Sequence, residues 1–187
     1  TPGFVDAHIH LFAYAASLTG VDCSPGIVSS ITDIKGAVRD RANLIPFGEW
    51  IRGWGYEEFY LAEKRVPNRW DLDEAAPNHP VKLVHRSGHS SILNSAAMRI
   101  LGINTSTPEP RGSIIERLLS TAELTGNFLE MEHELELRGA ATLTTRELNE
   151  GLAMACDKLM SLGITSIQET TPNRSLQHWD LLANLKS

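Results

Sequence analysis

The sequence predicts an α/β fold that contains an incomplete portion of a (β/α)8 barrel. Near the C-terminus, Thr144 and Glu147 form a capping-box pattern that begins a helix, Gly163 ends it, and Ile164–Glu169 is predicted to be a short strand. A helix, a glycine, an apolar strand and a polar residue at the strand end make the repeating unit of such barrels. The chain has 187 residues, whereas a complete barrel takes roughly 250. We therefore expect a barrel that this chain does not close.

The first barrel strand in chain order is predicted at Phe4–Leu11, where apolar and polar residues roughly alternate after Pro2-Gly3. Barrel strands are normally covered on both faces by helices and by neighbouring strands. With two such strands in the chain, both would keep uncovered edges, and we expect the chain to associate with itself through them.

The residues between these strands carry their own secondary-structure signals. Apolar residues at helical spacing and turn residues divide them into segments. We expect the stable unit to combine the strand 81–86 with helices near 31–47 and 92–101 and with the helix 145–161. The remaining predictions are a helical pattern over 29–49, a shaped loop at 50–56, where glycines alternate with aromatic residues, and a turn at 125–127.

Composition excludes several classes of function. The chain carries 17 Lys and Arg against 23 Asp and Glu, a net charge of -6, which argues against a nucleic-acid or anionic-membrane partner. No stretch approaches the ~20 apolar residues of a membrane span, and no signal peptide is evident. Cys23 and Cys156 lie in neither a CxxC nor a Cys/His cluster. A cytoplasmic location is expected.

The pair His8 and His10 is the central chemical signal. Residues two apart on a strand face the same side, and two neutral imidazoles suit a divalent zinc, manganese or nickel ion. Asp6, two residues earlier, lies on the same face and is expected to orient or balance the site. The alternative is a pair of surface histidines without a ligand. We expect this pair to be the only place in the chain that can hold a metal ion.

Further motifs occur in a fixed order along nearly the whole chain. They are Pro2-Gly3-Phe4-Val5-Asp6-Ala7-His8-Ile9-His10, Trp54-Gly55-Tyr56-Glu57, Arg69-Trp70-Asp71-Leu72-Asp73, His79-Pro80-Val81, Ser87-Gly88-His89, Asn94-Ser95 and Gly163-Ile164-Thr165-Ser166-Ile167-Gln168-Glu169. The first resembles the first barrel strand of the amidohydrolase superfamily. The others resemble the amidohydrolase-3 group, which includes N-substituted formamide deformylases.

This resemblance implies a domain organisation and a metal site. It implies a (β/α)8 barrel flanked by a small β-sandwich, with a long insertion after the first barrel strand. The expected boundaries are 1–19 for the first strand and its loop, 20–143 for the insertion, and 144–187 for a barrel helix, the second barrel strand and a following helix. His8 and His10 would bind a divalent metal, with zinc expected, and the metal would lower the pKa of a bound water.

The remaining ligands implied by the resemblance are a lysine or acidic residue, two later histidines and a late aspartate that usually also acts as general base, and their motifs do not occur in this chain. Zinc requires three or four protein ligands, so we expect the isolated chain to be inactive and to hold zinc weakly or not at all.

Three further residues are candidates for the active site. His89 could face the substrate or cap a following helix, Glu169 could approach the metal or form a salt bridge, and Trp54 could line an apolar pocket or pack in the core. His85 is interpreted as a sheet residue with satisfied hydrogen bonds.

The predicted function is hydrolysis of a C–N bond in a small-molecule amide, formamide or cyclic amide. The alternative is a non-catalytic insertion module that serves as a lid or an oligomerisation surface. A carbohydrate or peptide binder is a third interpretation, but tryptophans in separate motifs do not establish an aromatic groove.

Overall fold

A computed structural model of the chain describes residues 2–170 and shows a mixed α/β fold. The chain divides into two compact units. Unit 1 comprises Thr1–Thr19 and Leu143–Ser187, and unit 2 comprises Gly20–Thr142. The helix predicted to follow the second barrel strand lies outside the described residues.

Eight strands and six α-helices make up the described residues. In chain order they are β1 (Phe4–Ile9), α1 (Leu11–Leu18), β2 (Val21–Asp22), α2 (Ile31–Ala42), β3 (Ile51–Tyr56), α3 (Arg69–Ala75), β4 (Val81–His85), β5 (Ser90–Leu93), α4 (Ser95–Ile100), β6 (Ile114–Arg117), β7 (Leu124–Leu129), α5 (Glu132–Leu137), α6 (Thr145–Ser161) and β8 (Ile164–Glu169). A 3-10 turn at Glu58–Tyr60 follows β3.

Unit 1 pairs its two strands with each other. β1 and β8 are parallel, with Phe4 opposite Ile164 and Ile9 opposite Glu169. Both strands are largely exposed: Phe4 and Val5 keep 70% and 68% of their surface accessible. The two predicted barrel strands are thus present as strands, and in the described part of the chain they have no other strand partners.

Helices α1 and α6 pack tightly in unit 1. The predicted capping box of α6 is confirmed, since the Glu147 N–H donates to the Thr144 hydroxyl at 3.2 Å and the Thr144 N–H donates to the Glu147 carboxylate at 2.9 Å. A Cβ atom on Gly151 would lie 2.4 Å from the backbone oxygen of Ala15. Glycine at this position therefore lets the two helix backbones approach closely.

Two predictions about these helices are wrong. The residues after the first strand, expected to be a loop, form α1, because their apolar residues Leu11 and Ala15 bury against α6 in one cluster with Leu152. Helix α6 was expected to join the unit around the strand 81–86, but it belongs to unit 1.

Unit 2 is built on a six-stranded mixed sheet in the order β2-β3-β4-β5-β7-β6. Strands β2, β3 and β4 are parallel to one another, whereas β5, β6 and β7 continue the sheet in antiparallel pairs. The core residues of β3, β4 and β5 have no accessible surface; these are Ile51, Tyr56, Val81, Leu83, Ile92 and Leu93.

Side-chain caps fix the starts of the helices in unit 2. The Ser30 hydroxyl accepts from the Asp33 N–H at the start of α2, and Asn94 accepts from the Ala97 N–H at the start of α4. Asn68 begins α3 with a complete capping box, in which the Asp71 carboxylate accepts from the Asn68 N–H at 2.9 Å. These contacts satisfy N–H groups that lack a partner within the helix.

Residues 50–56 were predicted to form a loop, and this is wrong because Ile51–Tyr56 is strand β3. Its glycines have specific reasons for their presence. A Cβ on Gly53 would lie 2.5 Å from the Leu83 side chain on the neighbouring strand, and Gly55 has φ +89° where the register with β4 shifts. The glycines therefore permit a strand that packs closely and bends, rather than breaking it.

Two other local predictions are also wrong. The helix expected over 92–101 begins only at Ser95, because residues Ser90–Leu93 pair with β4 and β7. The turn expected at 125–127 lies inside β7, where Gly126 has φ +89° and a Cβ would meet the Leu93 backbone oxygen at 2.4 Å. The helix expected near 31–47 is shorter and ends at Ala42.

In residues 2–170 no helix has the length and apolarity to cross a membrane.

Candidate metal centres

His8 lies near the carboxyl end of β1 and His10 directly follows the strand, and their rings meet edge to face. The ring centres are 5.3 Å apart and the ring planes make an angle of 86°. Both residues are exposed. Two imidazoles that share a tetrahedral zinc ion, with Zn–N distances of ~2.0–2.1 Å, have ring centres about 5 Å apart. The spacing of the two rings therefore fits two ligands of one metal ion.

Asp6 interacts with the backbone of this pair rather than with a ring. Its carboxylate accepts a hydrogen bond from the His8 N–H at 3.0 Å. That contact fixes the local turn of the strand end, so Asp6 orients His8 through the main chain.

Glu169 lies at the carboxyl end of β8, next to β1. Its carboxylate accepts from the Leu11 N–H at 2.6 Å. Leu11 is the first residue of α1, and a carboxylate there satisfies a free N–H and interacts favourably with the helix dipole. Neither a metal contact nor a salt bridge is needed to explain this position.

His89 is mostly exposed, with 70% of its side chain accessible, and its Nδ1 lies 3.0 Å from a carboxylate oxygen of Glu130. The interpretation that it caps a following helix is wrong, because strand β5 follows it. A contact this exposed contributes little to stability.

Trp54 is half-buried in β3. Its indole Nε1 is buried and has no hydrogen-bond partner among the described residues. Buried Trp N–H groups usually have a partner, so this donor distinguishes Trp54 from a tryptophan that only packs in the core.

Unit 2 contains a cluster that the sequence analysis did not anticipate. Within residues 2–170, Glu57, Glu58 and His85 offer ligand atoms that all lie within 4.8 Å of one another. The expectation that His8 and His10 would be the only metal-capable place is therefore wrong. His85 is a residue of strand β4, as expected, and its Nδ1 accepts from the Ser87 N–H; its Nε2 lies 3.2 Å from Glu58 Oε2 without the geometry of a hydrogen bond.

Tyr56 packs against the imidazole of this cluster. Its ring meets the edge of the His85 ring at 5.1 Å between centres, and its hydroxyl lies 3.2 Å from that of Ser90. Burial raises the pKa of the Tyr56 hydroxyl well above its ordinary value, so this side chain remains neutral. It contributes an apolar wall and no charge.

The signal for the cluster was present in the sequence. Glu57 and Glu58 follow β3 directly, and His85 is the last residue of β4. Because parallel strands bring their carboxyl ends to one edge, a strand at 51–56 would have predicted the cluster. The loop interpretation of those residues concealed it.

Comparisons with known proteins agree with this architecture. Residues 1–187 match the Amidohydrolase family. The chain is 41% identical over 129 residues to the N-substituted formamide deformylase of Arthrobacter pascens, covering 69% of this chain and 24% of that protein. It is 29% identical over 164 residues to the putative amidohydrolase YtcJ of Bacillus subtilis strain 168, covering 88% and 30%.

Solved structures show the same fold. An uncharacterized metal-dependent hydrolase from Pyrococcus horikoshii OT3 superposes with a TM-score of 0.66 at 21% identity, over 99% of this chain and 34% of that one. One from Pyrococcus furiosus superposes with a TM-score of 0.64 at 25% identity, over 98% and 34%.

The chain belongs to the amidohydrolase family, as its motifs predicted. It spans between a quarter and a third of the length of the curated relatives described above.

Proposed function

We propose that this chain is the N-terminal part of a metal-dependent hydrolase that cleaves a C–N bond in a small-molecule amide, formamide or cyclic amide. The observation that carries the proposal is the contact of the His8 and His10 rings, whose centres lie 5.3 Å apart where β1 ends, in a chain of the amidohydrolase family. Similarity to a formamide deformylase supports the substrate class.

In this proposal β1 and β8 are the first two strands of a (β/α)8 barrel and unit 2 is an insertion between them. Active sites of such barrels lie at the carboxyl ends of the strands, where His8, His10 and Glu169 are found. A divalent metal ion, with zinc the proposed species, supplies the Lewis acidity when bound.

The residues of this chain would hold the metal ion and orient its ligands. The His8 and His10 imidazoles would bind the ion, and the Asp6 carboxylate fixes the end of β1 by accepting from the His8 N–H. Glu169 accepts from the Leu11 N–H and so anchors the first turn of α1. The two histidines are fewer than the three or four ligands that zinc requires. We therefore propose that the isolated chain is inactive and that this pair alone binds metal weakly.

The state of the two cysteines bears on the cellular location. Cys23 is buried, Cys156 is exposed, and both are free thiols, which fits a reducing compartment. We propose a cytoplasmic enzyme.

The test is hydrolysis of an N-substituted formamide, followed by formate release, in the longer protein that carries this chain. We expect His8→Ala and His10→Ala each to lower kcat/KM by about 100-fold or more and to lower the bound metal. His133→Ala is the matched control, because His133 is an exposed histidine on α5, and it should leave both quantities unchanged.

Full activity in His8→Ala would refute the proposed metal role. A longer protein that binds metal but hydrolyses neither formamides, amides nor cyclic amides would refute the proposed substrate class. Catalytic activity that is unchanged after deletion of unit 2 would instead favour the alternative, in which unit 2 is a non-catalytic lid or oligomerisation module.

A further inference from the structure

We propose that Glu57, Glu58 and His85 form a second metal site, which binds a divalent transition-metal ion such as Zn²⁺ or Mn²⁺ within unit 2. Its ligands are different from His8 and His10, and the proposal does not depend on the proposed function. It rests on the placement, the burial and the charge of three side chains.

The placement follows from the parallel pairing of β3 with β4. In this register His85 lies opposite Tyr56, so the two residues that follow Tyr56 in the chain emerge at the same edge of the sheet as the imidazole. His85 Nε2 lies 3.2 Å from Glu58 Oε2 and 3.6 Å from Glu57 Oε1. The three ligand atoms thus surround one point.

Burial makes this arrangement costly without a cation. The side chains of His85, Glu57 and Glu58 are 16%, 19% and 31% exposed. His85 Nε2 and Glu58 Oε2 are buried and lie 3.2 Å apart, but neither meets the geometry of a hydrogen bond among the described residues. Both carboxylates lie partly removed from water, and their ligand atoms and that of His85 are all within 4.8 Å of one another. A cation bound between them would stabilise them, because a bound metal ion is the largest local charge.

Three other carboxylates in unit 2 pair with a permanent cation. Glu132 pairs with Lys82, Glu123 pairs with Arg69, and Asp71 pairs with Arg65. Within the described residues, by contrast, the ion-pair partner of Glu57 and Glu58 is His85. Two carboxylates thus share one imidazole, and the cluster has an excess of negative charge that a divalent ion offsets.

The Nδ1 atom of the His85 ring, on the opposite edge from Nε2, contacts Ser87. Nδ1 lies 2.8 Å from the Ser87 hydroxyl and accepts from the Ser87 backbone N–H at 3.0 Å. These contacts hold the ring with Nε2 directed toward the two carboxylates.

The donor set selects the class of ion. One imidazole nitrogen and two carboxylate oxygens combine a ligand typical of zinc and iron with ligands typical of manganese and magnesium. Three protein ligands also leave a coordination position open. A first-row divalent ion satisfies both conditions, whereas an all-oxygen ion such as Ca²⁺ does not use the imidazole.

Binding of Co²⁺ as a spectroscopic probe tests the proposal on the 187-residue chain, without any assay of activity. The His8→Ala/His10→Ala variant should still bind one equivalent, with ligand-field bands of nitrogen and oxygen ligation, and Zn²⁺ should displace it. Glu57→Gln and His85→Gln, each in that background, should weaken binding by at least about 100-fold. Circular dichroism reports whether each variant folds.

His89→Gln/Glu130→Gln is the matched control, because it removes an exposed histidine–carboxylate pair with a similar separation, 3.0 Å. It should leave Co²⁺ binding unchanged. Absence of binding in His8→Ala/His10→Ala overturns the proposal directly, even if a cluster variant does not fold. Binding that survives in a folded Glu57→Gln or His85→Gln variant overturns it as well, and neither result bears on the activity of the longer enzyme.

Discussion

Substitution of Gly151 by alanine should destabilise unit 1, although alanine is the better helix former. Gly151 lies in the middle of α6, where it faces α1. An alanine Cβ there would lie 2.4 Å from the backbone oxygen of Ala15 and 2.9 Å from its carbonyl carbon. Both are main-chain atoms, so no side-chain rotation relieves the clash and the two helices must separate.

The magnitude follows from two opposing terms. Replacing glycine by alanine inside a helix favours folding by roughly 1 kcal/mol. Overpacking a tight contact costs typically about 1–3 kcal/mol, and separating the helices also weakens the contacts of Leu11, Ala15 and Leu152 in the buried cluster of unit 1. We expect a net loss of about 1–2 kcal/mol and a fall of several degrees in Tm.

Gly36 provides the matched control. It is also helical, within α2, but nothing lies within 4 Å of a Cβ built on it. Gly36→Ala should therefore stabilise by up to about 1 kcal/mol. Denaturant unfolding followed by circular dichroism gives both values, and hydrogen exchange of the amides in α2 and α6 locates each effect. The reasoning fails if Gly151→Ala unfolds at the same or a higher denaturant concentration than the parent chain.

Two further outcomes are expected. Burial disfavours the ionised form of Asp71, but hydrogen bonds from Arg65 and the Asn68 N–H outweigh it and hold its pKa below the ordinary 3.8. The stabilisation by Asp71 is thus full above pH 3.8 and is lost as the pH falls through the lower folded value. Asp71→Asn should therefore cost about 1 kcal/mol at pH 7 and reduce the acid sensitivity of urea unfolding, whereas Asp157→Asn on α6 should do neither. We also propose that the 187-residue chain self-associates through β1 and β8, where Phe4 and Val5 are 70% and 68% exposed; Val5→Lys should shift sedimentation toward the monomer, and a parent chain that is monomeric at every concentration would contradict this proposal.

Local signals in the sequence were sufficient for some elements and not for others. Capping residues and apolar spacing depend on neighbours in the chain, so the start of α6 at Thr145 and the strand β8 were predicted correctly. Strand β3 was missed because its glycines are explained by contacts distant in sequence, Gly53 against Leu83 and Gly55 at the register shift with β4. The sequence shows that a glycine is present, but it does not show which distant residue packs against it.

The candidate sites divide in the same way. The ring contact of His8 and His10 joins residues two apart where β1 ends and α1 begins, and this spacing is visible in the sequence. The convergence of Glu57 and Glu58 on His85 joins residues from two strands whose pairing was not predicted. The partner of Glu169 was equally hidden, because the helix that begins at Leu11 was expected to be a loop.

Both candidate metal centres lie where two parallel strands end, and the difference between them depends on what else each carboxylate can bind. Neighbouring parallel strands end at the same edge of a sheet, so the side chains that follow them lie close together there. Acidic and imidazole groups can therefore meet at that edge. In unit 1 a helix begins at that edge, and Glu169 is engaged by the N–H of Leu11. In unit 2 neither Glu57 nor Glu58 caps the turn that follows β3 with its side chain, and both turn to His85. A carboxylate that caps a helix is already compensated, whereas the two that share one imidazole are ligands of the proposed second metal site.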